Sequence, residues 1–270
     1  MLNLFKRDKT QTKIGLVLSG GAARGFAHVG IIRALNEYGI YPDVISGVSA
    51  GAIAGVLYCD GYNHEEMLEI IKDRSLFKYV GLTIPKNGLL SVDNLRTVLE
   101  DSLRAKTFEE LKTPFYCNAT NLNKGISEYF NKGELVSKVI ASASIPVLFK
   151  PVMINGSTYV DGGVVDNFPV KPIKNDVKYI IGAHVNPTGE EKEIKGLVKI
   201  AERSFHISVN SRIKEMSDIC DLFIQPAELK KFGLLSVSDG RKIYEVGYEE
   251  TMKTLEKANI KKFKAFHVTQ

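Results

Sequence analysis

Ile14-Gly15-Leu16-Val17-Leu18, followed by Ser19-Gly20-Gly21-Ala22-Ala23-Arg24-Gly25 and then by Phe26, Val29, Ile32 and Leu35, is the stretch that decides the fold. A short apolar run that breaks into small residues reads as a buried strand and a tight turn. The apolar residues after it recur at helical spacing and keep one face until Gly39. Tyr41-Pro42-Asp43 turns the chain, and Val44 to Val48 reads as a second strand. Ala50 to Tyr58 is apolar on nearly every side, so a helix there must be buried. Strand, turn and helix, twice over, predict an α/β fold with a parallel sheet and helices on its faces. In such sheets functional groups gather beyond the carboxyl ends of the strands. Both the Gly20–Gly25 turn and the turn at Ser49 fall there.

Outward from this start the pattern is less regular. Helices are expected over Glu65–Lys72, from Val92 to about Leu103 with Ser91 as cap, over Glu134–Ala143, over Lys195–Arg212 and from an Asp239 cap to Leu255. Strands are expected over Phe115–Thr120, Ile126–Phe130, Thr158–Val160, Tyr179–Val185 and Leu222–Gln225. Phe77 to Leu90 is apolar but broken by Gly81, Pro85 and Gly88. With Val147-Leu148-Phe149 it is a candidate lid or membrane-facing wall, and ordinary core is the plainer reading.

The 270 residues are 44% hydrophobic and 25% charged, the balance of an ordinary globular protein rather than a disordered or fibrous one. A chain of this length buries about 75% of its unfolded surface, enough for its own core. No apolar run approaches the roughly 18 residues of a membrane span. The net charge of +5 is a mild bias. It allows attraction to anionic lipid, and the absence of a basic run interleaved with aromatics argues against nucleic acid. Cys59, Cys117 and Cys220 are odd in number, far apart and set among apolar residues, which fits reduced thiols rather than disulfides or zinc. Met1 to Lys13 lacks the apolar core of a secretory signal. The expectation is a cytoplasmic protein able to touch the inner membrane surface.

Gly47-Val48-Ser49-Ala50-Gly51 is the sharpest chemical signal. A serine between strand and helix, with small residues two before and two after, has the pattern of a nucleophile elbow. The turn lifts the hydroxyl off the sheet edge at a helix N-terminus, where developing negative charge is favoured; a tight packing turn is the bland alternative. In Gly20–Gly25 consecutive small residues let backbone N–H groups converge on an anion. The dinucleotide fingerprint fails because Ala22 stands at its middle glycine. The phosphate loop fails because Phe26 and Ala27 stand where Lys and Ser or Thr are needed. An oxyanion hole needs only well-aimed N–H groups. Arg24 would fix this loop or attract an anionic head group, unless it is an ordinary surface guanidinium. A serine hydroxyl needs a base. None of His28, His64, His184, His206 and His267 has the setting of a catalytic histidine. Asp161-Gly162-Gly163, a carboxylate after an apolar strand with two glycines to turn the chain, is the better candidate.

Together, Gly20 to Gly25, Gly47 to Gly51 and Asp161 to Gly163 resemble, in order and spacing, the three motifs of bacterial patatin-like phospholipases. Ser144-Ile145-Pro146-Val147-Leu148-Phe149-Lys150-Pro151 and Val164-Val165-Asp166-Asn167-Phe168-Pro169-Val170 are similar to that family too. The likeness runs over residues 13 to 225. It implies a three-layer α/β/α sandwich with a mainly parallel central sheet. Residues 1–12 would be an N-terminal extension and 13–270 the patatin-like domain, its motifs within 18–163. It also implies a Ser–Asp dyad that needs no histidine, cofactor or metal. Ser49 would be the nucleophile, Asp161 the general base, and Gly20, Gly21, Ala22, Arg24 and Gly25 the oxyanion loop. Gly47 and Gly51 would flank the elbow and Gly162 and Gly163 turn the chain after the base. The family's commonest loop has a third glycine where Ala22 stands; alanine still donates its N–H if its φ suits a residue with Cβ. The implied partner is a lipid ester or phospholipid. An acyltransferase or non-lipid carboxylesterase on the same dyad, a nucleotide-binding protein and a non-catalytic domain of the same fold are the other readings.

Overall fold

The computed structural model describes residues 13–72, 92–146, 148–191, 193–234 and 236–264. Its first elements are β1 (Ile14–Leu18), α1 (Phe26–Glu37), β2 (Val44–Gly47), α2 (Ala50–Cys59) and α3 (His64–Lys72). Next come α4 (Asp93–Ser102), β3 (Phe115–Asn121), β4 (Ile126–Phe130), α5 (Val136–Ser142), β5 (Val152–Ile154) and β6 (Ser157–Asp161). The chain ends with β7 (Tyr179–Ala183), α6 (Leu197–Val209), α7 (Ile213–Ser217), β8 (Leu222–Ile224), α8 (Gly240–Lys257) and α9 (Lys261–Lys264). The candidate lid Phe77–Leu90, the Ser91 cap, Val147, His267 and the extension 1–12 lie outside the described residues.

The described strands form one sheet in the order β5-β6-β3-β2-β1-β7-β8, with β4 also on β3. Pairings from β3 through β2, β1 and β7 to β8 are parallel, whereas β4, β6 and β5 join antiparallel. The sheet is therefore mixed, with a parallel centre. Strand alternation sends Leu16, Leu18, Ile45, Phe115 and Ile181 to a large core under α1, α2, α3, α5 and α8. Val17, Val44 and Ile180 face a smaller core closed by Phe168, Val170, Ile173 and the α7 residues Ile213 and Met216. Three layers result. Helix α2 is buried along most of its surface, as its all-round apolar sequence requires.

One detail of register positions the site. β4 occupies one edge of β3 from Cys117 to Asn121, so β2 and β6 must share the other. β2 runs with β3 and ends at Gly47, opposite Cys117. β6 runs against β3 and ends at Asp161, opposite Ala119. Two strands therefore arrive at the same edge from opposite directions, and their carboxyl ends meet beside Asn118. Parallel neighbours alone would have left the end of β2 facing solvent.

Candidate active site

Ser49 follows β2 and is the residue before α2. Its φ is 54° and its ψ −123°, a conformation that costs a non-glycine residue about 1–3 kcal/mol. The flanks explain how the turn closes. A Cβ on Gly51 would fall 2.4 Å from the Leu18 carbonyl oxygen, and one on Gly47 would fall 2.4 Å from that of Gly51. The Ser49 N–H donates to Ser142 Oγ at 3.0 Å, and its hydroxyl makes no capping bond to α2. The side chain is thus left for other work, and it is 5% exposed.

That hydroxyl lies beside the Asp161 carboxylate, and the interaction between them favours the ionised acid. The aspartate is held through its backbone: its N–H donates to Ser144 O at 2.8 Å, and its carbonyl accepts from Thr120 Oγ1 at 2.9 Å. Asp161 Oδ1 accepts from the Gly163 N–H at 2.7 Å, which shapes the turn after β6. Burial raises this acid to a pKa of about 7, although the nearby Ser49 hydroxyl and the bond from Gly163 pull it down. A carboxyl with that pKa is partly ionised near neutrality and is a far stronger base than a solvated one.

The Gly20–Gly25 loop closes over the pair. Gly25 abuts Ala50 so tightly that a Cβ there would fall 2.5 Å from the alanine Cβ. Ala23 N–H donates to Leu234 O and Arg24 N–H to Gly21 O. The N–H groups of Gly20, Gly21 and Ala22 have no acceptor among the described residues. Ala22 has φ 48°, in the left-handed region that glycine tolerates best, so the alanine is accommodated at a small cost. Three open donors, a strained serine at a helix N-terminus and a buried carboxyl share one rim of the sheet. That assembly can stabilise an oxyanion.

A patatin-like phospholipase family model matches residues 16–173, more than half of the chain. The chain belongs to that family. The lysophospholipase NTE1 of Kluyveromyces lactis is 29% identical over 268 residues, which is 87% of this chain and 18% of that protein. An uncharacterised NTE family protein of Mycobacterium bovis is 31% identical over 169 residues, 62% of this chain and 47% of the other. The chain thus spans less than a fifth of the fungal relative. The crystal structure of VipD from Legionella pneumophila superposes with a TM-score of 0.53 at 16% identity, over 91% of this chain and 67% of that one, a likeness of fold.

Within this patatin-like site Arg24 is not a surface guanidinium. It is 6% exposed; its Nε donates to Phe232 O at 2.9 Å and its Nη1 to Asn186 Oδ1 at 2.8 Å. It pins the loop to the segments after β7 and before α8, rather than facing a head group. Arg24→Met keeps the apolar stem and removes these bonds. The expected result is a loss of about 2–4 kcal/mol in urea unfolding, with weaker turnover as the loop loosens.

Three of the described histidines, His28, His184 and His206, are buried and bonded within the fold. His28 Nε2 lies 2.8 Å from Ser19 O, and burial lowers its pKa to about 4. His184 is bonded to Asn210 and Gln225 and is likewise lowered to about 4 by burial. His206 lies by the Asn186 carbonyl, and His64 begins α3. The free thiols Cys59 and Cys117 are buried, and Cys220 is half-buried. Among the described residues no group of His, Cys, Asp and Glu converges as metal ligands do, and no helix is long and apolar enough to cross a membrane. Leu148 and Phe149 are half-buried.

Sequence reasoning missed Ser142, Ser144, Thr120 and Asn118, which hold the two strand ends in place. Asn118 Nδ2 donates to Gly162 O and Asp166 O at 3.3 and 3.0 Å. Ser142, Asn118 and Thr120 act across 40 or more positions and Ser144 across 17, so no local pattern assigns them these roles. A cleft of roughly 400 Å3, counted out to open solvent, lies between residues 163–168 and 208–216.

Proposed function

We propose that the chain is a serine acyl hydrolase of lipid esters, of phospholipase or lysophospholipase type. Ser49 is the nucleophile, Asp161 the general base, and the N–H groups of Gly20, Gly21 and Ala22 the oxyanion hole. The observation that carries this reading is a serine on a strained turn set beside a buried carboxyl whose pKa is about 7. Asp161 takes the hydroxyl proton as Oγ attacks the ester carbonyl. The loop N–H groups and the start of α2 hold the oxyanion, each donor contributing about 3 kcal/mol to lowering the barrier. Asp161 then protonates the leaving alkoxide. In a second round a water gives its proton to Asp161, and the fatty acid leaves.

The lipid substrate follows from family membership and from relatives named as lysophospholipases. A peripheral encounter with a membrane fits such a substrate and the mild positive charge. The test is fatty-acid release from a panel of phospholipids, lysophospholipids and short-chain esters, with wild type and Ser49→Ala, beside fluorophosphonate labelling. The expected result is label on Ser49 and release of fatty acid by the wild type alone. Labelling at another residue, or equal release by the variant, would refute the assignment.

A further inference from the structure

Asn167 stands apart from the other buried asparagines. Asn118, Asn121, Asn186 and Asn210 each use their carboxamide in hydrogen bonds that tie segments together. Asn167 is 9% exposed, its Nδ2 is fully buried without a partner, and its side chain makes no hydrogen bond among the described residues. A buried amide left unpaired costs about 1–3 kcal/mol, so this side chain is a burden on the fold rather than a tie.

Its position is fixed by two glycines. A Cβ on Gly20 would fall 2.4 Å from Asn167 Oδ1 and 3.2 Å from Ser49 Cβ. A Cβ on Gly163 would fall 2.6 Å from Asn167 Oδ1 and 3.0 Å from Asp161 Oδ1. The carboxamide oxygen therefore sits between the oxyanion loop and the base, beside the nucleophile. The residue also lines the solvent-open cleft against residues 208–216.

We propose that Asn167 positions the water that hydrolyses the acyl-enzyme. This rests on the Ser49–Asp161 reading. In the first step the proton in play belongs to Ser49, whose hydroxyl lies beside Asp161, and no third group is needed. In the second step Oγ is esterified and has no proton to donate. A water bound to Asp161 alone is free to turn about that one hydrogen bond. A second acceptor at Asn167 Oδ1 takes its other proton in a hydrogen bond and aims its lone pair at the acyl carbon. As the water oxygen bonds to that carbon, one O–H bond breaks, its proton goes to Asp161, and the carbonyl electron pair moves to the oxyanion. Collapse breaks the bond from carbon to Oγ, and Asp161 returns the proton to Ser49. Asn167 exchanges no proton.

The test uses the full chain and p-nitrophenyl butyrate. Acylation is read as the first p-nitrophenol release with enzyme in excess. Deacylation is read as the loss of acyl mass from quenched samples. Asn167→Leu keeps the branching and the number of heavy atoms, with bulkier methyl groups, and removes both the acceptor and the orphaned amide; Asn167→Ala, which adds no bulk, serves as a second variant. The expected result is unchanged or higher resistance to urea, acylation within about twofold of wild type, and deacylation slowed at least about tenfold, with acyl-enzyme accumulating. Equal slowing of both steps, or of neither, would overturn the role. A wild type that forms no acyl adduct at Ser49 would instead overturn the dyad reading, and this proposal with it.

Discussion

Asp161→Asn is expected to abolish ester hydrolysis and at the same time to make the protein more stable at neutral and alkaline pH. The physical cause is the same for both effects. Asp161 is 3% exposed, and burial lifts its pKa to about 7, from about 3.9 in an unfolded chain. The folded state therefore favours the protonated form. The stability tied to that form is fully present below about pH 4 and is lost as the pH rises to about 7. A difference of about three units corresponds to roughly 4 kcal/mol as an upper figure. Asparagine carries no charge to desolvate, and its oxygen still accepts from the Gly163 N–H. Urea unfolding of variant and wild type should give nearly equal stability at pH 4 and a gap of a few kcal/mol in favour of the variant at pH 8. A gap independent of pH would show that Asp161 is not held as described. In the wild type, kcat/KM should rise with pH around a midpoint near 7, because only the carboxylate can accept the serine proton.

Ser49→Ala and Ser49→Gly are expected to lose activity alike, by about four orders of magnitude or more, and to differ in stability. Both remove the only atom that can carry the acyl group, so neither should take up a fluorophosphonate. Alanine keeps the strained backbone at φ 54°, ψ −123°. Glycine relaxes it and should be more stable than alanine by about 1–3 kcal/mol in urea unfolding, offset in part by the greater freedom of the unfolded chain. The Ser142 hydroxyl still receives the backbone N–H in both. Equal stability of the two variants would mean that the elbow stores no strain.

The two strand–turn–helix units were legible because each signal is local. The apolar runs Ile14–Leu18 and Val44–Val48, the helical spacing after Phe26 and the all-round apolar face of Ala50–Tyr58 each lie within one element. Helix and strand ends moved by one to three residues where capping is weak. At Asp239, for example, the side chain pairs with Lys242 rather than with the helix backbone. Strand β5 was not legible: it has three residues between Pro151 and Asn155, too few for alternation to show. The antiparallel entry of β6 onto β3 was not legible either, because no local pattern names a strand's partner. Arg24 looked the same whether it faced water or backbone carbonyls, and Asn167 carried no local mark of its orphaned amide.

By itself the sequence determined which residue types stand at each bend: a serine between close-packed glycines, small residues whose N–H groups can converge, and an aspartate followed by two glycines. These follow from steric limits on single turns, which neighbouring residues impose on each other. The meeting of the β6 and β2 ends on one edge of β3, and a burial of the aspartate deep enough to raise its pKa to about 7, came only with the folded structure. Strand partnership and desolvation are sums over atoms more than a hundred positions apart, and no stretch of chain contains them.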